Sequence, residues 1–265
     1  MTTEAERIAR AYRWQRALGN RLIESPGYRI VTNTELPDIW DANHADAVTA
    51  RNDGEIAVVL AAMETRLAHS DWRVVHTDRF TPDAFLARLA LDGYVERPTV
   101  IQMALRGPLA RDTGPVDLRH VDSDADWTAL ATLVRADHDE GARTGGLDLD
   151  SSVTDATVAG YRAKGDAYRF HLALREGRPV AYGARIAAPD GIGMIEDLFT
   201  LPAWRRQGIA SGMIAAFVEE LRALGCDTIF LGALAQEPAK HLYAALGFEP
   251  VMLARTWVRP ATIGG

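Results

Sequence analysis

Apolar positions along the chain keep two rhythms. Near the start, Ile8, Ala11, Tyr12, Leu18, Leu22 and Ile23 recur between charges with a helical period, and no continuous apolar run precedes them. The second half predicts helices around 125–137 and 154–163 and strands near 169–175, 179–187 and 193–200. A helix over 209–224, a strand at 228–232, a short helix at 238–246 and a strand near 252–259 follow. Glu176-Gly177-Arg178-Pro179 between two strand patterns reads as a hairpin turn. Part of the sheet is therefore antiparallel, a doubly wound all-parallel sheet is disfavoured, and the fold class is mixed α/β.

The pattern also repeats. Laying Gly54 over Gly208, an offset of 154 positions, places Arg51 on Arg205, a helix at 55–69 on the helix from 209, and Val74-Val75 on Thr228-Ile229. It also places Gly93-Tyr94 on Gly247-Phe248 without a gap. Strand, basic-glycine turn, helix, strand, short helix, Gly-aromatic and strand recur in that order, which points to a duplicated unit. Proline, glycine and charge interrupt any period from Arg106 to Pro115, so domains of 1–110 and 116–265 are expected.

Composition narrows the setting. The chain has 265 residues, 48% of them hydrophobic, enough for two ordinary cores, and a formal net charge of -7. That charge argues against a nucleic-acid partner or an anionic membrane surface and leaves cationic small molecules or basic peptides open. No stretch has the uninterrupted apolar length of a membrane span. One cysteine, Cys226, excludes an intrachain disulfide and fits a reducing, cytoplasmic setting. The six tryptophans are dispersed, as packing residues are, rather than gathered into a stacking platform.

Candidate chemistry concentrates in Leu198-Phe199-Thr200-Leu201-Pro202-Ala203-Trp204-Arg205-Arg206-Gln207-Gly208-Ile209-Ala210-Ser211. An apolar strand enters a helix through a turn with two arginines and a glycine. The free N–H groups and partial positive charge of that helix start suit a diphosphate, so a nucleotide-like cofactor is expected. In the first half Arg206 and Gln207 become Asn52 and Asp53, Ile209 becomes Glu55, and Ala210 becomes Ile56. Carboxylates there repel a diphosphate. Glu196 and Tyr243 correspond to Ala42 and Leu89, so one active site per chain is expected. Strand alternation sets Met194, Glu196, Leu198 and Thr200 on one face and Ile195, Asp197 and Phe199 on the other, where Asp197 caps or bridges. Asp137-His138-Asp139-Glu140 reads as a solvated helix end, with cation recognition as the alternative, and no metal is expected.

With strand, turn and helix in order, Arg205-Arg206-Gln207-Gly208-Ile209-Ala210 resembles the acyl-CoA pyrophosphate loop of the GNAT superfamily of N-acetyltransferases, written [QR]-x-x-G-x-[GA]. Ala239-Lys240-His241-Leu242-Tyr243-Ala244-Ala245-Leu246-Gly247-Phe248 resembles its second signature. The likeness spans roughly residues 116–258, with the first half a degenerate copy, as in tandem members. It implies a twisted mixed sheet in each of two GNAT-like domains and acetyl-CoA as acyl donor. Leu198, Phe199 and Thr200 would then face pantetheine, with one strand N–H, from Leu198, on the thioester oxygen. Arg205, Arg206, Gln207, Gly208, Ile209, Ala210 and Ser211 would form the pyrophosphate loop. Gln236 stands where members often carry the asparagine that contacts pantetheine. Glu196 would take the acceptor's proton and Tyr243 would protonate the departing thiolate.

The resemblance implies transfer of acetyl from acetyl-CoA to a primary amine by direct attack in a ternary complex. The acceptor is a small-molecule amine or a peptide N-terminus, and the protein is a monomer or homodimer. The alternatives are an acyl-CoA-binding sensor with little turnover and transfer of a longer acyl group.

Overall fold

The computed structural model describes residues 2–143 and 147–261. The chain divides into two compact units: one holds residues up to Gln102 with Ala233–Glu237 and the residues from Val251, the other Met103–Gly232 and Pro238–Pro250.

The first unit begins with α1 (Glu4–Ala17), started by a reciprocal cap in which Thr3 Oγ1 accepts from Glu6 N–H and Glu6 accepts from Thr3 N–H at 2.6 Å. There follow β1 (Arg21–Ser25), β2 (Tyr28–Thr32), β3 (His44–Asp46), α2 (Asp53–Arg66), β4 (Trp72–Thr77), α3 (Asp83–Leu91) and β5 (Val95–Glu96). Strand β6 (Val100–Leu105) contains the division between the units.

The second unit contains β7 (Asp117–His120), α4 (Asp124–Arg143), α5 (Ser151–Ala163), β8 (Tyr168–Arg175), β9 (Arg178–Ala188) and β10 (Ile192–Thr200). Helix α6 (Ile209–Ala223), β11 (Thr228–Leu234) and α7 (Ala239–Ala245) complete it, and β12 (Glu249–Pro260) follows. The hairpin turn before β9 is present, with Glu176 at φ 51 and Gly177 at φ 74. Strands β7, β8, β9 and β10 pair antiparallel in that order, and β10 pairs β11 in parallel, so the sheet is mixed as expected.

These units depart from the expected domains of 1–110 and 116–265: residues 103–110 group with the second unit, and Ala233–Glu237 and the residues from Val251 in β12 with the first. From Val251 that strand runs antiparallel to β4, with Trp257 opposite Val75 and Val258 opposite Val74, and Trp257 also faces Glu96 of β5. Trp257 enters the core made by Ile30, Ile56, Met63, Val75, Phe85 and Leu89, all within the first unit. Its indole N–H donates to Thr77 Oγ1, while Arg259 and Arg73 both grip Glu64. The apolar demand of the first core draws the strand away from the segment that precedes it. Residues 262–265 of the expected second domain lie outside the described residues.

The repeat expected from the sequence has a local counterpart in the structure. Gly93 (φ 79) and Gly247 (φ 97) both close a short helix in the left-handed region. Tyr94 N–H donates to Leu89 O and Phe248 N–H to Tyr243 O, each at 3.0 Å, at positions related by the 154-residue offset.

Candidate active site

Two helix starts placed in register by sequence behave differently. Helix α2 caps itself: Asn52 Oδ1 accepts from Glu55 N–H at 3.0 Å, and Glu55 reaches back to Arg51 N–H at 2.7 Å. One first-turn donor, Glu55 N–H, is taken by a side chain, and two carboxylates, Asp53 and Glu55, stand in that turn. Helix α6 starts at Gly208, held at φ 80, and no side chain caps it. The backbone at Arg206 is also left-handed, φ 64, so two positive-φ residues turn the chain just before the helix. Gly208 faces open space. First-turn N–H groups, the partial positive charge of a helix N-terminus and the exposed Arg206 are thus gathered at one turn, a set of groups with positive potential.

Within that turn the side chains are positioned by the end of β10. Arg205 donates from Nε to Thr200 O at 2.8 Å and lies over the Phe199 ring, 5.7 Å from its centroid. Its guanidinium meets Glu140 of α4 in a fork of 2.7 and 2.6 Å. Gln207 donates to Ala203 O at 3.3 Å, Ile209 is buried, and Ala210 and Ser211 are half-buried.

The alternation expected along β10 fails at one place. Glu196 pairs with Ala184 and Phe199 with Tyr182, so Asp197 and Leu198 together oppose Gly183. Asp197 takes the left-handed conformation, φ 55, that absorbs the extra residue. Every side chain beyond it changes face. Phe199, not Thr200, shares the face of Glu196, Ala184 and Tyr182, while Leu198 turns toward α6. A Cβ on Gly183 would stand 2.7 Å from Leu198 Cδ2 and 3.2 Å from Phe217, so glycine makes room for the displaced leucine.

The same bulge brings Asp197 onto the tyrosine face, correcting the expectation that it points away. Tyr161 of α5 and Tyr168 of β8 both donate to its carboxylate, at 3.0 and 2.5 Å. Tyr182 donates to Asp137 Oδ2 of α4 at 2.9 Å. Burial pushes the Asp137 carboxyl up to about 6, and the charges of Asp197 and Glu140 add to the shift against the hydrogen bond from Tyr182. Burial and the neighbouring carboxylates hold the three tyrosine hydroxyls well above their ordinary range, so they remain donors. Glu196 lies close enough for its charge to act on Tyr168.

Tyr243 stands in α7, buried, with its ring 6.4 Å from that of Phe248. Gln236 is exposed in the turn before α7, within a segment of the first unit. The ladder between β10 and β11 runs from Ile192↔Thr228 to Ile195↔Leu231, and β10 continues past its end to Thr200. Of Asp137-His138-Asp139-Glu140, two members face the site. His138 is tied to Thr154 at 2.9 Å and Asp139 to Arg135.

Sequence reasoning missed the three tyrosines. Tyr168 and Tyr182 stand at even positions of strands whose alternating residues cover one face, a signal present in the sequence. Nothing in the sequence announces the bulge that adds Asp197 to them.

Residues 127–248 match the model of the acetyltransferase (GNAT) family. No curated protein sequence matches the chain. Among solved structures, a GCN5-related N-acetyltransferase from Kribbella flavida aligns over 100% of this chain and 98% of its own, with TM-score 0.73 and 21% identity. A GCN5-related N-acetyltransferase from Sphaerobacter thermophilus aligns over 90% of this chain and 78% of its own, at TM-score 0.59 and 13% identity. A tandem GNAT protein from the clavulanic acid biosynthesis pathway covers 84% of this chain and 76% of its own, also at TM-score 0.59 and 13% identity. The mixed-sheet fold of these proteins is the fold of this chain.

Proposed function

Taking residues 127–248 as an acyltransferase domain of the GNAT family, we propose that the protein moves the acetyl group of acetyl-CoA to a primary amine by direct attack in a ternary complex. The observation that carries this reading is the uncapped start of α6 at Gly208, set against the self-capped start of α2 at Asn52. The first turn of α6 carries no carboxylate, whereas Asp53, Glu55 and the Asn52 cap stand at the start of α2, so an external anion is favoured at α6.

The donor supplies an activated thioester. Arg206 through Ser211 would hold its diphosphate, and the length of β10 beyond the β11 ladder, with Leu198, Phe199 and Thr200, would pair with the pantetheine amides. At the bulge, Leu198 N–H would donate to the thioester oxygen as charge gathers there. Glu196 takes the proton of the incoming ammonium, directly or through water, and Tyr243 returns one to the departing sulfur. The carboxylates of Asp137 and Asp197, framed by tyrosine hydroxyls, favour an acceptor that arrives as a cation.

The test is release of free CoA from acetyl-CoA across a panel of amines, amino acids and peptides, beside calorimetry with CoA. Amine-dependent thiol release supports the reading. Tight CoA binding with no acceptor-dependent release would replace it with an acyl-CoA sensor, and preference for propionyl- or succinyl-CoA would change the acyl group.

A further inference from the structure

A second group of donor atoms lies on the opposite face of the second unit's sheet from the tyrosines. His120 of β7 and His171 of β8 are direct cross-strand partners, so their side chains leave the sheet on one side, and their rings stand 4.2 Å apart. Glu220 of α6 projects onto the same spot, its Oε1 3.5 Å from His171 Nε2. Phe217, one turn earlier on α6, packs against the His171 ring at 4.9 Å and closes the inner side.

His171 is the unusual member. Its side chain is 1% exposed, yet both ring nitrogens lack a hydrogen-bond partner among the described residues. A buried imidazole whose nearest acceptor, Glu220 Oε1, stays 3.5 Å away has lost hydration that a ligand bond would replace. One donor atom from each of His120, His171 and Glu220 lies within 4.8 Å of the others. Tetrahedral coordination at the usual zinc–nitrogen and zinc–oxygen bond lengths sets ligand atoms about 3.4 Å apart. Rotation of the exposed His120 side chain on its strand supplies the remaining closure.

We propose that His120, His171 and Glu220 bind a divalent transition-metal cation of the zinc class, with a water in the fourth position. Two imidazoles and one carboxylate form a donor set that selects such ions over magnesium or calcium, which favour oxygen alone. Arg185 pairs with the other oxygen of Glu220, Oε2, and so fixes the carboxylate with Oε1 toward the histidines. Glu220 lies 12 residues beyond Gly208 along α6, about 18 Å at the helical rise. The ion is therefore a structural clamp joining β7 and β8 to α6, and it takes no part in acyl transfer.

Titration of the metal-free full-length chain with Co2+, followed by its visible absorption and by competition with Zn2+, tests the site. One saturable equivalent with the intense bands of a tetrahedral ion is expected. His120→Ala and Glu220→Gln each should weaken binding on the order of 100-fold, and His241→Ala, at an exposed histidine of α7, should leave it unchanged. His120 is exposed, so its replacement spares the fold, which circular dichroism checks; Glu220→Gln stands as the independent variant. Absence of saturable binding by the unsubstituted protein, or binding that survives either substitution undiminished, overturns the proposal.

Discussion

Glu140 holds Arg205 by both guanidinium arms, at 2.7 and 2.6 Å, so the arginine at the head of the anion turn is already neutralised by a carboxylate from α4. Under the proposed function an incoming diphosphate would compete with that carboxylate. Glu140→Gln removes the competitor, and because the pair is partly solvent-exposed its worth is about 1 kcal/mol at most. The CoA dissociation constant should fall by about 2–5-fold at low ionic strength and by less at high salt, measured by calorimetry. Weaker binding would mean that Glu140 holds Arg205 in its working position.

Asp137 gives a stability test whose sign depends on pH. Its carboxyl, raised by burial to about 6, stays protonated in the folded chain while the unfolded chain releases the proton near its ordinary value. Between about pH 4 and pH 6 the folded state binds more protons, so stability falls as pH rises through that window. Asp137→Asn keeps an acceptor for the Tyr182 hydroxyl and removes the buried charge. We expect it to raise stability by about 1–2 kcal/mol at pH 8 and to change nothing below pH 4, read from thermal melts at both values. At pH 8 the same variant should raise KM for a cationic acceptor and leave a neutral one unaffected.

Tyr243 packs against Phe248, and Tyr243→Phe preserves that packing while deleting the hydroxyl. A general acid removed in this way lowers kcat by about 100-fold with KM for the donor unchanged. Steady-state kinetics with unaltered kcat would make Tyr243 a packing residue only.

Gly208 and Gly54, equivalent by sequence, should respond oppositely to alanine. Gly208 sits at φ 80 and a Cβ added there would meet nothing within 4 Å beyond its chain neighbours, so Gly208→Ala meets strain without a clash, about 1 kcal/mol or more. CoA affinity should drop by about 10-fold as the N–H groups shift. Gly54 lies in the first turn of α2 with only Asn52 Oδ1 near, at 3.5 Å, and Gly54→Ala should leave affinity unchanged and stability equal or higher. Calorimetry and melting of both variants decide this.

Much of this was legible in advance. The period of apolar residues gave most strands and helices of the second half to within three positions, because each buries one face, while α4 runs six residues beyond its expected end at Asp137. Gly208 announced the turn, since two arginines and a glycine between a strand and a helix have few other uses. The reversal of faces after Glu196 was not legible. A bulge depends on pairing between β10 and β9, and an inserted residue leaves no periodic trace in a strand of nine. The placement of β12 was hidden for a related reason: Trp257 alternates correctly for either sheet, and only the core under β4 determines which one takes it.

That placement bears on how the protein is made. A ribosome releases the N-terminal residues first, yet the first unit lacks its Trp257 strand until residue 260 has emerged, well after Met103–Gly232 has been synthesised. The later unit has the opportunity to fold ahead of the earlier one, which waits with an open edge beside β4. Chains cut short at residue 250 should accumulate as protease-sensitive species whose N-terminal portion is digested first.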